Sequence, residues 1–168
     1  EKKQKAEAKA KEKTRTYICK YCSPREQQVL AFFQDHGVTD KYALATIMGN
    51  IRQESMFIPN ICEGGARVSY GSCRYGGYGL IQWTTSDRYH GLGRHSHSKG
   101  LNPSTLDGQL SWLVQEHQWK RIEGKMKTPG LSIRSYMNAA YSWLGWGIHG
   151  ARTHYANDYA RRIVLSES

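Results

Sequence analysis

Thr39-Asp40-Lys41-Tyr42-Ala43-Leu44-Ala45-Thr46-Ile47-Met48-Gly49-Asn50-Ile51-Arg52-Gln53-Glu54-Ser55 is the stretch on which the reading of this chain turns. Thr39 or Asp40 caps a helix running to Glu54 or Ser55, since a short polar side chain there satisfies the first free N–H groups. Leu44, Ile47, Met48 and Ile51 fall at i, i+3, i+4 and i+7, so one stripe faces a core. Glu54 lies three residues past Ile51 and seven past Ile47 and continues that stripe, while Asn50, Arg52 and Gln53 are assigned to solvent. A carboxylate there is opposed twice: burial disfavours its charge, and the negative end of the helix dipole repels it. Both effects raise the pKa, as a general acid requires. The plain alternative is a glutamate that frays into water at a helix end.

Upstream, Ser23-Pro24-Arg25-Glu26 opens another helix: Ser23 caps, Pro24 takes the first position and Glu26 completes a capping box. Val29, Leu30 and Phe33 form its apolar face, and Gly37 stops it. Lys2 to Arg15 has no apolar stripe, so residues 1–16 read as a Lys-rich linker or exposed helix joining the domain to something larger. Residues 17–168 read as one domain, a length that supports a single core.

Downstream, from Phe57 to Trp83, the helical period disappears among Pro59, glycines and tyrosines, which suggests turns and short strands in a small β-like lobe. Ser86 or Thr85 caps a short helix through Leu92, followed by a loop rich in Gly, His and Ser. Thr105 to Met126 reads as one helix, with Leu106, Leu110, Leu113 and Val114 on one side, ended by Pro129-Gly130. Two further helices, Ser132 to Trp143 and Ala151 to Leu165, flank the Gly145-Trp146-Gly147 turn, whose Trp146 could join the core or line a groove. The fold class is α+β, mainly α.

Hydrophobic residues make up 39% and charged residues 23%, and no apolar run is long enough for a membrane helix. Net charge is +10; seven Lys/Arg against three Asp/Glu in residues 1–16 leave +6 on the domain. A basic body implies an anionic partner: nucleic acid, anionic lipid, or a cell wall with its carboxylates and phosphates. No Arg/Lys-rich reading helix or zinc-finger spacing favours nucleic acid. Cys19, Cys22, Cys62 and Cys73 suit disulfides in an oxidising setting, and bridging Cys62 to Cys73 would contribute about 3 kcal/mol in the chain-entropy picture. The rival is a four-thiolate zinc site built on Cys19-Lys20-Tyr21-Cys22, against which stands the ten-residue gap between the other two cysteines.

Tyr70, Tyr75, Tyr78 and Trp83 offer aromatic faces for sugars, Gln82 offers an amide, and glycines at 76, 77 and 79 would let backbone pass close to a polymer. The plain alternative, core tyrosines and turn glycines, accounts for about half of them. The combined run of Ile47-Met48-Gly49-Asn50-Ile51, Gln53-Glu54-Ser55, Phe57, Pro59 and Gly77-Tyr78-Gly79-Leu80-Ile81-Gln82-Trp83-Thr84 resembles the phage tail lysozyme family. A Glu-Ser followed by Gly-Leu-x-Gln is also similar to goose-type lysozymes and lytic transglycosylases, and here Glu54 and Gln82 stand 28 residues apart (82 − 54). A weaker likeness continues through Arg152, Tyr155 and Ala156 to Ile163.

The resemblance implies a lysozyme-like fold with a groove between a helical body and a small β lobe. It implies that Glu54 protonates the glycosidic oxygen between N-acetylmuramic acid and N-acetylglucosamine, with Ser55, Tyr75, Tyr78, Gly79, Gln82 and Trp83 around the sugar. Bacterial peptidoglycan is the implied partner, and a virion tail or the bacterial surface the implied location. No cofactor, metal or membrane insertion is called for.

A conventional glycosidase needs two carboxyl groups. Asp87 and Glu63 are the candidates for the second, although Asp87 is also a natural first-turn residue and Glu63 a loop charge. Lytic transglycosylases manage with one Glu, so both reactions stay open, as does a non-catalytic wall-binding domain of the same shape. His90, His95 and His97 invite a metal, but they lack a nearby third ligand and read as a solvated loop.

Overall fold

The computed structural model describes residues 1–7, 16–74 and 76–167. Residues 2–7 are helical, while the rest of the expected N-terminal linker falls mostly on 8–15, outside the described residues. Strand β1 (Tyr17–Cys19) is followed by helices α1 (Pro24–Asp35) and α2 (Lys41–Ser55). Next come α3 (Ser86–Ser98), α4 (Leu106–Leu113), α5 (His117–Met126), α6 (Ile133–Leu144), α7 (Arg152–Arg162) and strand β2 (Ile163–Leu165). β1 and β2 pair antiparallel, Tyr17 opposite Leu165 and Cys19 opposite Ile163, so the sheet joins the two ends of the domain. Gln27 and Gln34 of α1 cover the free edge of β1, each bonding backbone N–H and C=O of one strand residue.

Two cap expectations hold in detail, whereas Thr85 takes the N-cap position of α3 without a side-chain bond to the helix. Ser23 and Glu26 exchange the reciprocal bonds of a capping box, and Asp40 accepts from Tyr42 N and Ala43 N at 2.7 and 3.2 Å. The apolar stripe of α2 is buried, but so is every residue from Ala43 to Ile51, because α2 runs through the centre of the helical body. This corrects the solvent-side assignment of Asn50, which is 0% exposed. Its amide donates to Thr46 O, and its carbonyl oxygen accepts from Arg152. An amide at the helix centre is stable only with its bonds made inside the protein.

Three helix boundaries differ from expectation. The helix expected over Ala151–Leu165 ends at Arg162, because Ile163–Leu165 pair with β1 as strand β2. α3 continues to Ser98, so His95 and His97 lie on a helix rather than in a loop. Tertiary packing overrides poor local propensity there: Gly91 leaves no room for a Cβ beneath Trp112, Leu92 and Ser96 are buried, and His95 bonds Ser111. The helix expected over Thr105–Met126 is instead two, α4 and α5, broken at Val114–Glu116. Glu116 caps α5 with extended backbone, and its carboxylate, 1% exposed, accepts from Trp83 Nε1 at 2.7 Å and from Arg88 Nε at 2.8 Å. That buried carboxylate, held by two donors, sits at the break.

The small lobe between α2 and α3 has no regular strand of its own among the described residues. It is held by single bridges, Ile61–Arg67, Cys62–Tyr78 and Tyr78–Trp83, and by a 3-10 turn at Tyr70–Ser72. Cys62–Cys73 and Cys19–Cys22 are both disulfides.

α2 and α7 cross at Gly49, where an added Cβ would lie 2.6 Å from Ala156 N and 3.0 Å from Arg152 O. Backbone on the far side cannot yield as a side-chain tip can. Gly49→Ala is expected to cost about 1–3 kcal/mol through forced separation of the helices, read as a lowered thermal midpoint. An unchanged midpoint would show that the crossing is looser than its geometry.

Candidate active site

The final turn of α2 carries Gln53, Glu54 and Ser55 to the edge of a groove of about 620 Å³. One wall is the small lobe, through Ile61, Glu63 and Gly77; the other is the turn between α6 and α7, through Trp146 and Ile148. Glu54, Gln82 and Arg152 line it between these walls. After Ser55 the chain turns sharply: Met56 and Phe57 both adopt left-handed backbone, at φ 51° and 63°. That ends the helix at once and directs the chain into the lobe.

Glu54 is 16% exposed at its side chain, and Arg152, its partner, only 5%. Arg152 Nη2 donates to Glu54 Oε1 at 2.8 Å, Nη1 donates to Asn50 Oδ1 at 3.2 Å, and the guanidinium lies 4.5 Å from the Trp146 ring centre. The arginine is thus fixed from three sides, by two bonds from α2 and a stacked indole. Burial pushes the Glu54 pKa up; the charge and hydrogen bond of Arg152 and the charge of Arg88 pull it down, and burial prevails. The group therefore holds its proton to higher pH than a free glutamate, beside a cation ready to receive the anion when the proton leaves.

The remaining sequence candidates divide. Gln82 lines the groove at φ 53°, a left-handed conformation costly for a non-glycine residue, and its amide donates to Gly79 O at 2.9 Å and Ile61 O at 3.3 Å. Glu63 lines the groove from the lobe, is exposed, and accepts from Gly77 N at 3.3 Å. Asp87 is exposed in the first turn of α3, and the described lining of the groove does not include it. Tyr78 and Trp83 are both 0% exposed: the Tyr78 hydroxyl donates to Val68 O, and Trp83 donates to Glu116. Their faces are spent on the core, and neither presents a surface to a sugar. Ser55 is likewise buried and donates to Leu80 O at 2.7 Å, stitching the helix end to the glycine-rich loop. Gly79 turns at φ 83° directly against Gln109. Tyr75 lies outside the described residues.

Two contributors escape the sequence, Arg152 as the partner of Glu54 and Gln109 as a brace, and a third, Trp146, is left open by it. Arg152 is 98 positions from Glu54, and only the crossing of α2 and α7 brings them together. Gln109, fully buried on α4, accepts from Leu80 N at 2.8 Å and donates to Pro59 O and Pro103 O at 2.6 and 2.9 Å, bracing the loop from beneath. Trp146 holds Arg152 and lines the groove. Its place between two glycines leaves core and groove both open in the sequence. Among the described residues no cluster of His, Cys, Asp and Glu could hold a metal, and the four cysteines are consumed in two disulfides.

A helical body, a bridge-held lobe and a protected carboxyl group on the cleft between them define a lysozyme-like protein. Residues 24–162 match the family profile described as phage tail lysozyme. The chain belongs to that family, and is accordingly a lysozyme-like cell-wall hydrolase. No curated protein and no solved structure matches it.

Removing the Arg152 charge should leave burial of Glu54 opposed by the charge of Arg88 alone. In Arg152→Met the Glu54 carboxyl, followed by carbon-13 NMR, is expected to titrate at higher pH than in the parent. Because an acid catalyst works while protonated, the alkaline limb of the activity profile should move to higher pH as well. A limb that moves to lower pH would contradict a lowering of the Glu54 pKa by Arg152.

Proposed function

We propose that the chain cleaves the glycosidic bond between N-acetylmuramic acid and N-acetylglucosamine in bacterial peptidoglycan, with Glu54 as the acid. The observation that carries this is the protected carboxyl group of Glu54, with raised pKa, on a groove open enough for a saccharide chain. Glu54 gives its proton to the bridging oxygen as the bond to the anomeric carbon breaks and positive charge develops on the sugar. The new carboxylate is met by the Arg152 guanidinium already bonded to it, so the proton is cheaper to release than burial alone would allow. Arg152 acts through Glu54 and is a positioning residue.

Gln82 and Gly77 line the groove, and the Gln82 side chain and the backbone of Gly77 would meet hydroxyl or acetamido groups. Trp146 supplies an aromatic edge on the opposite wall. Glu63 is the other carboxylate on the groove, and in a hydrolase it would activate water. Its exposure favours a second reading, in which the substrate's own acetamido group assists and the product is a 1,6-anhydro sugar. A role in wall penetration, as part of a virion tail or similar assembly reached through the Lys-rich N-terminus, accords with the family and with the basic charge.

Glu54→Gln is expected to abolish release of wall fragments, a loss of at least about 100-fold for a missing general acid, while the protein stays folded. Full activity in that variant would remove Glu54 from the mechanism. Mass spectrometry of digested peptidoglycan separates the two reactions: reducing ends identify a hydrolase and 1,6-anhydro ends a transglycosylase. Wall binding by the parent protein without any fragments would instead indicate a purely structural domain.

A further inference from the structure

Tyr70 was a candidate sugar platform by sequence, and His90 and His97 were candidate ligands; the structure places all three around a second hollow of about 550 Å³. This hollow shares no lining residue with the groove that contains Glu54. Its apolar floor is Tyr70, Leu101 and Pro103, and its rim is His90, Arg94 and His97, which fall at i, i+4 and i+7 on one face of α3.

The floor is preformed. Tyr70 N donates to Ser104 Oγ at 2.7 Å, its hydroxyl donates to Tyr89 O at 2.7 Å, and its ring stacks on Tyr89 at 4.3 Å. Gly93 allows the approach, since a Cβ there would meet the Tyr70 hydroxyl at 2.5 Å. Among the described residues no acidic side chain lines the hollow, and Arg94 is exposed without an ion-pair partner. An aromatic floor suits the C–H faces of a polyol or sugar, and an unpaired guanidinium beside two imidazoles suits an anion. A ligand needing both is a polyol or sugar polymer linked by phosphodiesters. Nucleic acid is less well matched: one ring and one arginine make neither a stacking track nor a run of phosphate contacts.

We infer that the hollow between Tyr70 and the His90–Arg94–His97 face of α3 binds phosphodiester-linked wall polymers and anchors the enzyme beside the glycan it cuts. The inference rests on the wall-degrading reading. Anchoring of this kind raises local substrate concentration without touching the chemistry.

The test uses the full chain carrying Glu54→Gln, so that walls are not consumed, with and without Arg94→Gln and His97→Gln together. Sedimentation is measured with untreated Gram-positive walls, with the same walls stripped of phosphodiester polymers by hydrofluoric acid, and with duplex DNA. Affinity for untreated walls is expected to fall roughly tenfold in the Arg94/His97 variant, as loss of charge-assisted contacts implies, with no difference on stripped walls. Equal affinity for untreated walls would overturn the inference. A loss that persists on stripped walls would also overturn it, transferring the contact to peptide carboxylates. So would tighter binding to DNA than to untreated walls with the same loss. A chain with Glu54 intact, with and without the two substitutions, is assayed for lysis of stripped walls. Equal lysis shows that the catalytic groove is undisturbed, whereas no lysis by either chain refutes the glycosidase reading whatever the binding result.

Discussion

The contact between Arg152 and the last two turns of α2 is the constraint on which the rest of the site depends. One guanidinium reaches Asn50 and Glu54 from a helix that begins 98 residues after the acid, and it does so from almost complete burial. Such a pair is poor evidence for added stability, since withdrawing two charges from water offsets most of their attraction. Its value lies in fixing geometry. The close crossing at Gly49 sets the distance, Asn50 and Trp146 hold the arginine's plane, and Glu54 is left with one direction in which to present its proton. The buried Nε of Arg152 has no partner among the described residues, a desolvation cost that the site carries for the sake of this geometry.

A second layer of buried polar contacts shapes the other side of the groove. The loop around Gly79 is irregular, and irregular backbone must find its hydrogen bonds somewhere. Gln109 serves Leu80, Pro59 and Pro103 from below, Ser55 serves Leu80 from α2, and Trp83 is tied to Glu116, itself gripped by Arg88. Through Arg88 this layer reaches the active site as well, because its charge opposes the rise in the Glu54 pKa. Gln82 can then hold an unfavourable backbone conformation on the groove with its neighbours fixed on both sides.

What the sequence made legible was local. Ser23, Glu26 and Asp40 announce their caps through chemistry acting over three residues, and the stripe through Leu44 and Ile51 declares which way α2 faces. Glu54 could be singled out because periodicity and helix polarity both act within one element. The errors have the opposite origin. Asn50 was given to solvent because its partner, Arg152, comes from the far end of the chain. Tyr78 and Trp83 were read as sugar-facing because residue type does not disclose which side of a loop is inward. The break before Glu116 and the extension of α3 through Ser98 are likewise decided by long-range packing that no window of neighbouring residues contains.

The pairing of β1 with β2 also governs how the domain would respond to mechanical load. Thr16 and Ser166 bond at the open end of that ladder, so a pull applied through both termini meets it as a zipper, one rung after another, before any tension reaches α2. The side-chain clasp of Gln27 and Gln34 and the loop closed by Cys19–Cys22 lie just behind it. Traction would therefore be absorbed first in a peripheral seam, leaving the cleft intact while the ends begin to part.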